Sequence, residues 1–242
     1  MKNHHLAAID IGNTRAKIGI FFHDELINVN YETDFKEIKS LLDSYEVAKI
    51  IVSSVNKRYD QQLIIDQLKD YDPLYFNYQI PLPIEIKYDT PQTLGVDRIA
   101  AAVGASVLYP GENVLSIDCG SCITYDLLQK GKYYLGGAIS PGIHMKIKAL
   151  HTFTARLPLI ESKNSAPLVG KSTEQSILSG IINGSVAEID GMIAEYKTMY
   201  PVLKVVLCGG DALFFDSKVK GTNFVVEDLV LFGLNQVLLY NA

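Results

Sequence analysis

The amino-acid sequence predicts an α/β protein of two related lobes, each a mixed sheet with helices packed on it. Three observations carry this prediction. The motif Ile-Asp-x-Gly occurs twice, at residues 9–12 and 117–120. A strand-like apolar run precedes and follows each copy, and the two copies divide the 242 residues nearly in half. The elements after each copy then repeat in the order βββαβα.

The elements of the first lobe follow from apolar alternation, helical periodicity and capping residues. Asp34 is predicted to be the N-cap of the first helix. In chain order, the prediction is strands near residues 6–11, 16–22 and 26–31, a helix at 35–42, a buried strand at 49–55, a helix at 61–69, loop with short strands at 73–91, and a buried helix at 96–108.

The second lobe repeats this plan, with Pro141 predicted at the first position of a helix. The prediction is strands near residues 113–119, 122–128 and 132–139, the helix opened by Pro141, a long helix at 173–199, a buried strand at 202–208, a short helix, a strand at 224–226, and a terminal helix from Asp228. The predicted lobes are residues 1–111 and 112–242.

Composition limits the classes of function. With 48% apolar and 20% charged residues, the chain matches ordinary soluble globular proteins. A net charge of −5 argues against nucleic-acid binding, which needs a basic surface. The longest apolar run, residues 99–109, is shorter than the ~20 residues of a membrane span. Because Asp10 also interrupts any signal-peptide core, we expect a cytoplasmic protein without a membrane partner.

Each Asp-x-Gly motif lies between two predicted strands and therefore predicts a tight turn. Such a turn presents a carboxylate together with backbone N–H groups. The N–H groups suit phosphate oxygens, and the aspartate suits Mg²⁺ or its bound waters. Two such turns facing a common cleft would form a nucleotide phosphotransfer site.

Asp97 and Arg98 form a second candidate site at the mouth of the apolar helix predicted from residue 96. A carboxylate that enters an apolar environment has its pKa raised, which suits a general base. The neighbouring guanidinium can bind a substrate carboxylate through two hydrogen bonds. The alternative is a capping aspartate beside a surface ion pair, and these two residues alone favour that alternative.

Two other patterns are deceptive. Residues 170–173, Gly-Lys-Ser-Thr, match the end of a P-loop, but Ser165 stands where its first glycine is required. We expect helix capping there. Cys119 and Cys122 form a CxxC pair, but no second pair completes a zinc site and the pair lies in a strand-turn-strand. We expect them to be small apolar residues of the turn.

Small residues on the long helix form a ridge whose purpose the sequence leaves open. Either another part of the chain packs closely there, or the ridge is the seam of a dimer. The ridge consists of Gly180, Gly184, Ala187 and Gly191.

Taken together, the motifs resemble a known family. The duplicated Asp-x-Gly plan is similar to the superfamily of acetate and sugar kinases, Hsp70 and actin, whose two-lobed actin-like ATPase (ribonuclease H-like) fold it implies. Within it, the chain resembles type III pantothenate kinases over essentially its full length. The matching stretches are residues 10–17, 95–98, 118–126, 136–158 and 170–173, of which the first two are highly specific.

The resemblance implies ATP-dependent phosphorylation of pantothenate, the first step toward coenzyme A, with Asp97 as the base. It implies that Asp10 faces Mg²⁺ and that Asp118 binds K⁺ or NH₄⁺. It also implies a homodimer in which Thr173 reaches the partner's substrate. The ATP-binding residues would be Asp10, Ile11, Gly12, Asn13, Thr14, Arg15, Ala16, Lys17 and Ser121. The pantothenate-binding residues would be Tyr88, Gly95, Val96, Asp97, Arg98 and Thr173.

The second turn departs from the family pattern. The family has Asp-x-Gly-Thr-Ala, whereas this chain has Ser121 and Cys122. Serine keeps the hydroxyl that can contact phosphate, and cysteine is a small apolar change. Two alternatives remain: a kinase of another small alcohol, or a nucleotide-gated regulator of the Hsp70 or actin type. The 242 residues leave little room for the larger lobes of the latter.

Overall fold

The computed structural model describes residues 4–12, 16–32, 34–54 and 66–242. They form two compact units. The first contains Met1–Pro110, Gly131–Leu135 and Asp228–Ala242, and the second contains Gly111–Lys130 and Gly136–Glu227. Two segments beyond residue 111, Gly131–Leu135 and Asp228–Ala242, belong to the first unit. The predicted lobes, residues 1–111 and 112–242, stay a prediction.

The first unit is built on a five-stranded sheet of order β3-β2-β1-β4-β5. β1 pairs antiparallel with β2 and parallel with β4, so the sheet is mixed as predicted. Apolar side chains of β1, β2 and β4 pack against α1 to form a core. The elements are β1 (His5–Ile11), β2 (Ala16–Phe22), β3 (Glu25–Glu32), α1 (Phe35–Ser44), β4 (Val47–Ser54), β5 (Pro73–Tyr75), β6 (Glu85–Ile86) and α2 (Val96–Leu108), with 3₁₀ turns at Lys69–Tyr71 and Pro91–Thr93.

The second unit repeats the strand order. Its strands lie in a six-stranded sheet of order β11-β10-β7-β8-β9-β6, and β7, the strand that carries the motif, again has an antiparallel neighbour on one side and a parallel neighbour on the other. The elements are β7 (Val114–Cys119), β8 (Cys122–Gln129), β9 (Tyr133–Pro141), α3 (Ile143–Phe153), α4 (Thr173–Met199), β10 (Lys204–Cys208), α5 (Ala212–Asp216) and β11 (Phe224–Val225). This duplication confirms the predicted fold class.

The terminal helix α6 (Leu229–Tyr240) packs on α2 within the first unit. The two helices approach closely because glycines stand at their contact. A Cβ at Gly233 would overlap the carbonyl oxygen of Ala100, and one at Gly104 would lie 2.9 Å from the Leu229 side chain. The backbones of α2 and α6 are therefore in direct contact, and this contact fixes the position of the first turn of α6.

Two predictions about helices need comment. Pro141 was predicted to open a helix, but it ends β9, and α3 begins at Ile143 after an extended Gly142. The reason is that Gly142 packs against the backbone of Gly120 and Ser121, so the chain stays extended one residue longer. The predicted helix at 61–69 lies mostly outside the described residues, although residues 66–68 are helical.

α4 is long and apolar enough to cross a membrane by length and composition alone. One face of this helix is buried within the second unit, with Ile181, Ser185 and Ile189 among its buried residues. Core helices of globular proteins meet the same criterion, and we attribute the composition of α4 to this burial.

Candidate active site

The first Asp-x-Gly turn follows β1, whose last residues pair with the first residues of β2. Asp10 lies opposite Lys17 in this register, and Ile11 opposite Ala16. The buried side chains of Ile11 and Ala16 anchor the two ends of the turn. The residues between Gly12 and Ala16, which are Asn13, Thr14 and Arg15, lie outside the described part of the chain.

The Asp10 carboxylate is buried, which disfavours its charged form. Its Oδ1 atom is buried and has no hydrogen-bond partner among the described residues. Burial, with the nearby negative charge of Asp97, raises the pKa of Asp10 from 3.8 to about 6, although Ser53 and Lys17 oppose the rise. A buried anion of this kind is best explained by a cation that it holds during function.

Asp97 and Arg98 lie in the first turn of α2. The negative charge of Asp97 is close enough to Asp10 to help raise the pKa of Asp10. The Asp97 carboxylate accepts a hydrogen bond from the backbone N–H of Arg98 at 2.9 Å. A Cβ at Gly95 would overlap the same carboxylate, so glycine leaves room for this side chain. Arg98 is buried, with 6% of its surface exposed, which excludes the surface ion pair considered above. The structure thus brings Asp10, Lys17 and Asp97 into one cluster.

Tyr88 and Val96 are half-buried in the same unit. Tyr88 follows β6, which pairs with the start of β9. Its ring lies 6.2 Å from that of Tyr134, centroid to centroid, at a tilt of 53°. The Tyr134 ring is fully buried and therefore supports one side of Tyr88. That Tyr88 and Asp97 both contact substrate stays a prediction.

Sequence analysis missed Asp228. Its carboxylate lies 2.7 Å from the Nζ atom of Lys17, and both side chains are about three-quarters buried. Burial lowers the pKa of Lys17, but the hydrogen bond and charge of Asp228 outweigh it and hold this pKa above its usual value. Asp228 was recognised only as the start of a helix, because no pattern in the sequence links it to a strand near the N-terminus.

The second Asp-x-Gly turn is packed around glycines. Gly209, at φ +86°, lies against this turn, and a Cβ there would overlap the Asp118 carboxylate and lie 2.6 Å from the Cys119 carbonyl oxygen. The Cys119 carbonyl also accepts a hydrogen bond from the Asp211 N–H at 2.8 Å. The positive φ and the close approach explain why glycine follows the end of β10 at this position.

Ser121 is exposed at the tip of the second turn. The Gly120 N–H donates to the Cys122 carbonyl at 2.9 Å, and the Gly142 N–H donates to the Ser121 carbonyl at 3.1 Å. The backbone of Ser121 is therefore fixed from two sides while its hydroxyl is left accessible. A serine in this setting can offer its hydroxyl to a phosphate oxygen.

A polar cluster centred on Glu188 of α4 supports the same region. Its carboxylate accepts hydrogen bonds from Tyr125 at 3.2 Å, from Lys146 at 2.8 Å and from Ser140. Burial raises the pKa of Glu188, but these donors prevail and hold it below its usual value. The cluster connects β8, β9 and α3 to α4, and no sequence pattern predicts it.

The two deceptive patterns have structural explanations. Ser172 is the N-cap of α4 and accepts the Gln175 N–H at 3.2 Å, so Gly-Lys-Ser-Thr caps a helix, with an exposed Thr173 as its first residue. No disulfide is present in the described part of the chain. Burial raises the pKa of the Cys119 thiol, which leaves it unreactive.

Mg²⁺ fits the first turn. The residues described contain no group of three or more His, Cys, Asp or Glu side chains that could hold a metal ion alone. Mg²⁺ does not need one, because it is commonly held by one or two carboxylates together with substrate phosphates and waters. The buried Oδ1 of Asp10 is a hard oxygen donor of the required kind.

Replacing Asp10 by Asn is expected to stabilise the ligand-free protein at pH 8 while abolishing ATP-dependent turnover. The folded state raises the Asp10 pKa to about 6, so ionisation opposes folding. This cost, about 2–3 kcal/mol at full ionisation, is small below about pH 4 and complete well above pH 6. Thermal unfolding should show a higher Tm for Asp10→Asn at pH 8 and a difference that shrinks toward pH 4. A lower Tm at pH 8 would contradict this account.

The duplicated sheet with an Asp-x-Gly turn after the first strand of each copy defines the actin-like ATPase fold. Solved structures support this fold. A ROK hexokinase from Thermus thermophilus matches with a TM-score of 0.52 and 11% identity, covering 98% of this chain and 100% of that one. A protein described as a Baf family transcriptional activator from Campylobacter jejuni matches with a TM-score of 0.65 and 23% identity, covering 97% and 98%. These identities establish the fold alone.

Sequence comparison places the chain within a family of this fold. The sequence model of the type III pantothenate kinase family matches residues 6–195. Relatives named type III pantothenate kinase include one from Bacteroides fragilis, 42% identical over 237 residues, and one from Christiangramia forsetii, 43% identical over 237 residues. Each alignment covers 96% of this chain and 97% of the relative. The chain belongs to the type III pantothenate kinase family and is a phosphotransferase. The predicted family is confirmed.

Proposed function

We propose that this protein transfers the γ-phosphoryl group of ATP to the primary hydroxyl of pantothenate, the first step of coenzyme A biosynthesis, with Asp97 as general base. Membership of the family supports the reaction. The observation that carries the mechanism is the cluster of Asp10, Lys17 and Asp97 in the first unit, with a buried Arg98 beside it.

Phosphoryl transfer depends on positioning and on charge neutralisation more than on covalent chemistry. In our proposal, residues 10–17 hold the ATP phosphates, with Lys17 supplying positive charge, and Ser121 contributes a further contact to ATP. Arg98 binds the pantothenate carboxylate, while Tyr88, Gly95 and Val96 line the substrate site. Asp97 removes the proton from the hydroxyl as it attacks, a contribution of about 10²–10⁴ in rate.

Two cations belong to this proposal. Asp10 would hold Mg²⁺, which neutralises charge on the ATP phosphates when it is bound. Asp118 would hold a monovalent cation, K⁺ or NH₄⁺. The oxygen atoms of Asp118 and of the Cys119 carbonyl lie close to Gly209, where a side chain would fill the space. Oxygen donors of this kind suit hard cations.

Replacing Asp118 by Asn should raise the K⁺ concentration needed for half-maximal activity. Asparagine keeps the size and one oxygen of the side chain but removes the charge that attracts the cation. The measurement is a K⁺ titration of activity at fixed ionic strength, in parallel with the unaltered protein. An unchanged titration curve would refute the cation role of Asp118.

A homodimer completes the proposal. A Cβ at Gly180, Gly184 or Gly191 would have no atom within 4 Å in the described chain, so packing within this chain does not explain the small-residue ridge. Beside the ridge, Phe153 of α3 is 85% exposed. We therefore assign the ridge to a dimer seam, with Thr173 reaching the partner's substrate. The enzyme would work in the cytoplasm, without nucleic-acid or membrane partners.

Replacing Gly184 by Arg should convert the dimer to a monomer and lower activity, because Thr173 could then no longer reach the partner's substrate. Sedimentation velocity gives the oligomeric state. Val202→Arg is the matched control, since Val202 is also an exposed apolar residue of the second unit, at 69%. A Gly184→Arg protein that stays dimeric would remove the ridge from the interface.

ADP release over a panel of small alcohols, with and without K⁺, tests the proposed reaction. Release should require pantothenate and rise with K⁺. Release with another alcohol but not with pantothenate would indicate a kinase of a different substrate. ATP hydrolysis without any acceptor would favour a nucleotide-gated regulator.

A further inference from the structure

We propose that Asp228 is a positioning residue that holds Lys17 in place for the ATP phosphates. This inference rests on the proposed function, because it takes Lys17 to contact the phosphates. Asp228 belongs to neither Asp-x-Gly turn. It lies 211 residues from Lys17 in sequence, yet the two side chains meet at 2.7 Å.

The Asp228 carboxylate does not cap the helix that follows it. Aspartate at a helix N-cap normally accepts a hydrogen bond from the backbone of the first helical turn, as Asp34 does from the Lys36 N–H at 2.8 Å. Asp228 is the N-cap residue of α6 but makes no such bond. Its carboxylate pairs with Lys17 instead, and the helix lacks the stabilisation that a side-chain N-cap provides.

The position of Asp228 is fixed by the helix that it begins. The backbone of α6 lies against that of α2 at Gly233 and Gly104, and Leu229, the residue after Asp228, is fully buried at this contact. The start of α6 therefore has little freedom to move. A rigid anchor for the carboxylate gives the flexible Lys17 side chain a defined direction.

Lys17 is held from two sides. Besides the ion pair with Asp228, its Nζ atom lies 5.7 Å from the centre of the Tyr31 ring on β3. An ammonium group has three donors, and a phosphate oxygen can accept from the same group that pairs with a carboxylate. Asp228 also favours the protonated lysine, which is the form that attracts phosphate.

A double-mutant cycle on Asp228 and Lys17 tests this role. The variants are Asp228→Asn, Lys17→Gln and the double variant, measured by the KM for ATP, the KM for pantothenate and kcat. We expect Asp228→Asn to raise the KM for ATP by about tenfold, the effect of weakening one charge-assisted contact, and to leave the KM for pantothenate unchanged. In the Lys17→Gln background, Asp228→Asn should have no further effect on the KM for ATP.

Two further variants separate positioning from folding. Asp228→Ser supplies a good N-cap but no charge, so it should fold normally and still raise the KM for ATP. Asp70→Asn removes one side of the exposed Lys39–Asp70 ion pair, at 3.6 Å, in the same unit and should change neither constant.

The inference is overturned if Asp228→Asn leaves the KM for ATP unchanged, or lowers it because Asp228 competes with phosphate for Lys17. It is also overturned if the effect is equally large in the Lys17→Gln background, since Asp228 would then act independently of Lys17. Failure of the proposed function looks different. In that case Lys17→Gln itself would leave ATP binding unchanged, or the unaltered protein would not phosphorylate pantothenate.

Discussion

Replacement of Asp97 by Asn is expected to lower kcat by at least about 100-fold while leaving pantothenate binding largely intact. Asparagine has nearly the shape of aspartate and can still accept the hydrogen bond that the Arg98 N–H donates at 2.9 Å. It cannot take a proton from the substrate hydroxyl. The loss should therefore fall on turnover and spare the ground-state complex, in which we propose that Arg98 contacts the pantothenate carboxylate.

Pantothenate binding to the Asp97→Asn protein can be measured directly by calorimetry, and turnover by ADP release. Asp24→Asn is the matched control, because Asp24 is an exposed residue of the loop between β2 and β3 and should be neutral. Near-normal kcat in Asp97→Asn would remove Asp97 from the mechanism. A large loss of pantothenate affinity at unchanged kcat would assign it to binding instead.

Replacement of Gly233 by Ala is expected to give the largest loss of stability among the substitutions considered. The added Cβ would overlap the Ala100 carbonyl oxygen and lie 2.9 Å from the Gly104 nitrogen. Because both are backbone atoms, no side-chain rotation relieves the overlap, and α2 and α6 must move apart. Overpacking of this kind costs about 1–3 kcal/mol and occasionally more, which outweighs the better helix propensity of alanine.

Urea unfolding measures this loss, with Gln236→Ala as the control, since Gln236 lies on the same helix and is half-exposed. The free energy of unfolding should fall for Gly233→Ala and change little for Gln236→Ala. Activity of Gly233→Ala should also decline at temperatures where it remains folded, because Asp97 lies in the first turn of α2 and Asp228 is the N-cap of α6. Equal stability of the two variants would show that the helices are not packed this closely.

Much of the fold could be predicted because its signals are local. The alternation of apolar residues in β1 and β2 and the capping by Asp34 involve only residues that are close in sequence. The duplication was visible because each half carries the same turn between two strands. The first turn and the Asp97–Arg98 pair are likewise contiguous motifs, which is why the sequence could predict both as candidate groups.

The remainder depends on contacts between residues distant in sequence. The ion pair of Lys17 with Asp228 and the cluster around Glu188 arise only when separate elements pack, and no local pattern marks them. The error at Pro141 has the same origin. Proline at the first turn of a helix is a sound local rule, but Gly142 is held extended by its contact with the turn at Gly120 and Ser121.

The raised pKa of Asp10 also depends on contacts between residues distant in sequence. The motif predicts Asp10 as a ligand for a cation, but its buried Oδ1 and the nearby charge of Asp97 depend on how the separate elements of the first unit pack together. Burial of the ionised Asp10 destabilises the ligand-free protein. In our proposal, binding of the cation and phosphates offsets this cost.

The central claim is that this protein phosphorylates the primary hydroxyl of pantothenate, and ³¹P NMR of the reaction products tests it most directly. The protein, ATP, Mg²⁺, K⁺ and pantothenate should give the resonances of ADP and of one new phosphate monoester, coupled to the protons of the adjacent CH₂ group. The Asp97→Asn protein should give almost none of this monoester in the same time. ADP with inorganic phosphate, and no monoester resonance, would contradict the claim.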